Sequence, residues 1–106
     1  MIARPLAEPA DDAAHLLVVD DDKRIRALLS RFLVEQGYRV TTAANAAEAA
    51  QKLRSLAFDL LVLDVMMPGE NGVDFARRLR AGETELADVP ILMLTARADF
   101  DDRVRG

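Results

Sequence analysis

Three short apolar runs break off abruptly at carboxylate or hydroxyl side chains, and no other feature restricts the fold as much. His15 to Val19 runs into Asp20, Asp21 and Asp22; Leu60 to Leu63 runs into Asp64; Ile91 to Leu94 runs into Thr95. Four or five residues are too few for a buried helix, and uninterrupted apolarity suits a strand covered on both faces. A strand that stops at a charged side chain has reached the rim of its sheet. The segments between these runs change period, which fixes the rest of the architecture.

From about Asp22 to Gln36, Ile25, Leu28, Leu29, Phe32 and Leu33 fall at i, i+3, i+4, i+7 and i+8, predicting a helix with this stripe toward the core. Gly37 follows at the position where a helix end favours a residue tolerant of positive φ. Tyr38 to Ala43, with Val40, Thr41 and Thr42, reads as a short second strand. Asn45 and Glu48 form a capping-box-like pair that opens a second helix through about Ser55. Its inner residues, Ala46, Ala49, Ala50 and Leu53, predict a close approach to the sheet. Pro68, Gly69, Asn71 and Gly72 make a loop, and Val73 to Arg80 forms a third helix closed near Gly82. Pro90 introduces the strand Ile91 to Leu94, and Arg97 to Gly106 begins a fourth helix. Strict β-α alternation predicts an α/β doubly wound parallel sheet with helices on both faces.

With 106 residues, 51% of them hydrophobic, the chain is expected to form one domain, residues 15–106, after a flexible Pro-, Ala- and acid-rich leader, residues 1–14. The leader lacks the apolar centre of a secretory signal, and no apolar run approaches the ~18–20 residues that span a bilayer, so a cytoplasmic setting is expected, with no membrane partner. Absence of cysteine excludes disulfides and thiolate metal sites, and the single histidine, His15, excludes a His-rich one. A net charge of −4, with 14 scattered Lys and Arg residues, argues against direct nucleic-acid binding by this segment.

In an open parallel sheet, ligands bind beyond the carboxyl ends of the strands, where the strand order reverses. Asp20, Asp21, Asp64 and Thr95 all arrive at that rim. Carboxylates about 4 Å apart repel by roughly 4 kcal/mol at an effective dielectric of about 20, so such a cluster holds a proton or a cation. Hard oxygen donors without His or Cys favour Mg2+. Asp is also a known carboxylate nucleophile that forms acyl phosphates, and Thr95 adds a hydroxyl suited to a phosphoryl oxygen. Simpler roles stand beside these. Helix capping accounts for one or two of Asp20 to Asp22, Thr95 suits a strand without chemistry, and Met66, Met67 and Met93 suit packing. Arg97, Arg103 and Arg105 suit a solvated helix face.

Val-Val-Asp-Asp-Asp at 18–22, Leu-Val-Leu-Asp-Val-Met-Met-Pro-Gly at 61–69, Asn-Gly at 71–72 and Pro-Ile-Leu-Met-Leu-Thr-Ala at 90–96 resemble, in type, order and spacing, the receiver domains of bacterial two-component response regulators. The resemblance spans Leu16 to Gly106 and implies a flavodoxin-like sheet of order 2-1-3-4-5. It implies that Asp64 accepts a phosphoryl group from a sensor histidine kinase. Asp21, Asp20 (mainly through water), Asp64 and the backbone carbonyl of Met66 would ligate Mg2+. Thr95 and Ala96 would meet the phosphoryl group and switch. The side chains of Met66 and Arg97 would modulate hydrolysis. The domain would be a signalling switch and not an enzyme, and DNA would be a partner only through an output domain outside this sequence. The residues 95–106 look most like receivers joined to winged-helix transcriptional regulators.

Against the family pattern, no catalytic lysine is expected in this chain: the family's lysine ends a fifth strand, and Lys23 and Lys52 do not match its position. Without that strand, Ile91 to Leu94 would be a sheet edge prone to pairing with another chain, so that the product is expected to swap, form a homodimer or aggregate, and the Ile25/Leu28/Phe32 face would lose part of its cover. One alternative is a receiver-like docking module that accepts no phosphate. An aspartate-nucleophile phosphatase of the haloacid-dehalogenase kind would want an aspartate two residues beyond Asp64, where Met66 stands. A flavin- or nucleotide-binding domain would want a phosphate loop where Asp20 to Asp22 would repel an anion.

Overall fold

A computed structural model describes residues 11–67, 69–82 and 89–94. Seven elements follow one another: β1 (His15–Val19), α1 (Lys23–Glu35), β2 (Arg39–Ala43), α2 (Ala46–Ser55), β3 (Leu60–Asp64), α3 (Gly72–Arg80) and β4 (Ile91–Leu94). The four strands form one parallel sheet, as the alternation predicts, in the order β2-β1-β3-β4 that the resemblance implies. The residues expected to open a fourth helix, and Thr95, Ala96 and Arg97, lie outside the described residues.

Each helix begins and ends where local hydrogen bonding dictates. Asp22 caps α1, its carboxylate accepting from the amides of Arg24 (2.9 Å) and Ile25 (3.4 Å). Gly37, at φ +99°, ends it: the Gly37 amide donates to the Val34 carbonyl and that of Tyr38 to the Leu33 carbonyl, the paired bonds of a Schellman motif. Tyr38 is thereby used in the cap, so β2 starts at Arg39, one residue later than the sequence suggests. Asn45 accepts from the Glu48 amide at 2.8 Å, while Glu48 reaches back to the Ala44 amide at 2.7 Å, one residue beyond the usual capping-box partner. Asn71 caps α3 through the Asp74 amide.

Side chains of one parity on β1 and β3, Leu17, Val19, Leu61 and Leu63, meet Ala46, Ala49 and Leu53 of α2, Phe75 and Leu79 of α3, and Met67 in one core. Ala49 is fully buried, so the alanines do bring α2 close to the sheet. Leu16, Val18 and Val62, of the other parity, are also buried, on the face that right-handed crossover gives to α1.

The α1 stripe is narrower than its sequence predicts. Ile25, Leu29 and Leu33 are half-buried, but Leu28 and Phe32 are 64% and 54% exposed and no α1 residue is fully buried. The helix packs on β1 and β2, and the i, i+4, i+8 row alone fits that strip; no other described helix covers Leu28 and Phe32. At the far edge of the described sheet, β4 presents Leu92 at 53% exposure.

His15 opens β1 at the end opposite the acidic rim, as expected. Its Nε2 lies 2.8 Å from Thr41 Oγ1 and its ring centroid 4.5 Å from that of Phe58. Burial, then the nearby Arg39 charge, lower its pKa from the usual 6.5, against opposing effects of the Ala57 backbone and Asp59. The folded state therefore disfavours the imidazolium relative to the unfolded chain. The stabilisation is complete above about pH 6.5 and is lost as pH falls through the lower folded value. His15→Gln is expected to flatten this part of the stability profile, measured by urea denaturation between about pH 7 and 5. Glu70 titrates in a separate, more acidic window and leaves this comparison undisturbed.

Candidate functional site

β1 has β2 on one side and β3 on the other, so the chain reverses its direction of travel across the sheet between β1 and β3. Both strands end together at that switch point: Val19 pairs with Leu63, and the next residues are Asp20 and Asp64. Oxygen atoms of Asp20, Asp21 and Asp64 lie within 4.8 Å of one another. The three residues differ in setting. Asp20 is 6% exposed, the buried charged side chain among the described residues, whereas Asp21 is exposed and Asp64 half-buried.

Backbone donors orient two of these carboxylates. Asp20 continues the β1–β2 ladder through its amide to the Ala43 carbonyl (3.1 Å), and its Oδ1 accepts from the Asp22 amide at 2.9 Å. The Asp22 side chain is spent on capping α1, leaving Asp20 and Asp21 for the rim. Asp64 Oδ1 accepts from the Met66 amide at 3.1 Å, a local side-chain to backbone turn that starts the loop beyond β3. Met66 has an exposed side chain, at 61%. The donor set fits a small hard cation: three carboxylates from two strand ends, one of them desolvated, with no cysteine in the chain and its one histidine at the other end of the sheet.

Three further residues shape the rim, and the sequence pattern did not single them out for it. Arg26, one turn into α1, donates from Nη1 to the Asp20 carbonyl at 2.7 Å, tying the helix to the strand end. Glu70 and Arg78 form a two-point ion pair at 3.0 and 2.8 Å that braces the loop onto α3, with the guanidinium 5.2 Å from the Phe75 ring centroid. Hydrogen bonding from Arg78 holds the Glu70 carboxyl below its ordinary pKa. An open cleft between the β2–α2 turn and the loop after β3 is lined by Ala44 to Ala47, Gly69, Glu70 and Arg78. Gly69, at φ +82°, makes the turn expected of the loop.

An open parallel sheet with a carboxylate cluster at its switch point is a doubly wound α/β domain whose acidic residues stand where such folds bind their ligands. Residues 16–106 match the response regulator receiver domain family, and the chain belongs to that family. It is 52% identical over 92 residues to the protein PetR of Rhodobacter capsulatus, covering 87% of this chain and 37% of that protein. It is 42% identical over 91 residues to the transcriptional regulatory protein ResD of Bacillus subtilis, covering 86% and 36%. The chain thus spans little more than a third of the length of these relatives. Among solved structures, it resembles the response regulator TrrA of Thermotoga maritima in complex with Mg2+ and BeF (TM-score 0.73, 39% identity, 84% of this chain and 75% of that one). It also resembles a response regulator from Chloroflexus aurantiacus (TM-score 0.77, 36% identity, 90% and 77%). No helix among the described residues is long and apolar enough to cross a membrane.

Proposed function

We propose that residues 15–106 act as a phosphorylation-controlled switch in which Asp64 accepts a phosphoryl group from the phosphohistidine of a sensor histidine kinase. The observation that carries this reading is the convergence of Asp20, Asp21 and Asp64 within 4.8 Å at the switch point of the sheet. Asp20, Asp21, Asp64 and the Met66 backbone carbonyl would hold Mg2+. An ion held there would supply positive charge to offset that of a phosphoryl group beside the acceptor. The chain's own residues supply the rest. A carboxylate oxygen of Asp64 forms the new P–O bond as the P–N bond to the kinase imidazole breaks. The Met66 amide orients the Asp64 carboxylate, and the Asp22 amide orients that of Asp20. Thr95 and Ala96 would bind the phosphoryl group and relay its presence, and Arg97 and the Met66 side chain would set access of water.

The relatives named as transcriptional regulators support a DNA-binding output domain as the element controlled. The place of β4 as the outer strand of the described sheet, with Leu92 half-exposed, supports a homodimer as a further partner state. A cytoplasmic location fits both. The domain catalyses only its own phosphorylation and dephosphorylation.

The test is the response to Mg2+ plus beryllofluoride, read as amide shift changes at the rim by NMR. Asp64→Asn is expected to abolish the beryllofluoride response while leaving the rest of the spectrum folded. A response that survives the substitution would remove Asp64 as acceptor. No response in this chain and none in a longer one carrying the family's fifth strand would favour the docking module.

A further inference from the structure

Gly72 is the buried first residue of α3, and it sits where two parts of the chain come closer than any side chain permits. A Cβ at this position would lie 2.9 Å from Val65 Cα and 3.0 Å from the Asp64 carbonyl carbon, with the Asp64 carbonyl oxygen nearer still. Real Cβ atoms do not approach backbone atoms that closely. Val65 is also held through both of its backbone polar groups. The Val65 amide donates to the Leu94 carbonyl of β4 at 3.2 Å, and the Val65 carbonyl accepts from the Gly72 amide at 2.9 Å. Helix α3 has little room to retreat, because Phe75 is fully buried and Leu79 is 8% exposed in the core one and two turns on. Any atom added at Gly72 therefore displaces the peptide that carries Asp64.

The geometry points to Gly72 as a positioning residue for the acidic site: its missing side chain lets the first turn of α3 press on the Asp64–Val65 peptide and set the Asp64 carboxylate against Asp20 and Asp21. This rests on the cation-binding reading of that cluster. Asp20 and Asp21 follow β1, so a displacement at Asp64 alters the spacing of the three carboxylates instead of moving them together. Groups that only orient metal ligands typically change metal affinity by roughly 10–100-fold when lost.

The test is Mg2+ affinity by isothermal titration calorimetry on the full chain, with folding checked by circular dichroism at the same temperature. Gly72→Ala is expected to stay folded and bind Mg2+ at least about tenfold more weakly than the wild type. Leu79→Ala, which destabilises α3 without touching Asp64, is expected to retain the wild-type affinity while folded. Equal affinity in folded Gly72→Ala, or an equal loss in Leu79→Ala, would overturn the positioning role. If Gly72→Ala is unfolded in buffer, all three chains are titrated in trimethylamine N-oxide, which favours the compact state. Failure to fold even there would mean that the contact serves the whole fold and not the site. A wild-type chain that binds no Mg2+ would defeat the cation reading itself, a result distinct from any difference between variants.

Discussion

Asp20→Asn is expected to stabilise the metal-free protein and to weaken its hold on Mg2+. Asp20 is 6% exposed and shares the rim with Asp21 and Asp64, with an oxygen of each within 4.8 Å of the others. At that separation, one pair of like charges costs between about 1 kcal/mol in water and about 3.5 kcal/mol at an effective dielectric of 20. The asparagine keeps the Oδ1 acceptor for the Asp22 amide, so the local turn persists and the charge alone is removed. Urea denaturation without metal should show a gain in the range of about 1–3 kcal/mol. Titration with Mg2+ should show weaker binding, and the stabilising effect of saturating Mg2+ should shrink. A variant less stable than the wild type without metal would mean that Asp20 is held by compensating contacts and not strained by its neighbours.

The largest loss of stability is expected at Phe75. It is the largest fully buried side chain among the described residues, and it seats α3 against Leu17, Val19, Leu61 and Leu63. Phe75→Ala removes most of a ring and leaves a cavity whose walls, two strands and two helices, collapse only in part. The cost is about 3–5 kcal/mol, against about 5–15 kcal/mol for the whole stability of a small domain. The Arg78 guanidinium also loses the aromatic face beneath it, which loosens the Glu70–Arg78 brace on the loop beyond Asp64. Denaturant midpoints for Phe75→Ala and Phe75→Leu separate the two effects: leucine restores most of the core volume but not the cation–π contact. A cost well below 3 kcal/mol would show that α3 is held mainly by its hydrogen-bonded ends.

Much of this was legible in the sequence because it depends on neighbours in the chain. Short apolar runs ending at Asp20 and Asp64, the caps at Asp22 and Asn45 and the stop at Gly37 are each decided within a few residues, and the strand order then brings the carboxylates together. Contacts across space were not legible. Arg26 reaches the Asp20 carbonyl only because α1 leaves the strand at a particular angle, and Arg78 meets Glu70 across a loop whose path no periodicity encodes. Gly72 reads as a loop residue from its Asn-Gly context, and the packing that demands glycine appears only when α3 is laid against the end of β3. The α1 stripe was read at its full width because periodicity reports which residues share a face, not how much of that face a neighbour covers. Thr95, read from its place after the fourth apolar run, and Ala96 and Arg97, assigned by resemblance, lie outside the described residues.

The central claim, that Asp64 is the acceptor, is tested most directly by locating the phosphoryl group. The chain is incubated with Mg2+ and acetyl phosphate or a phosphorylated histidine kinase, the acyl phosphate is reduced with borohydride, and the digested peptides are sequenced by mass spectrometry. Homoserine at position 64, absent from Asp64→Asn, is the predicted result. Reduction at Asp20, Asp21 or another carboxylate in the wild type, with position 64 unmodified, would contradict it.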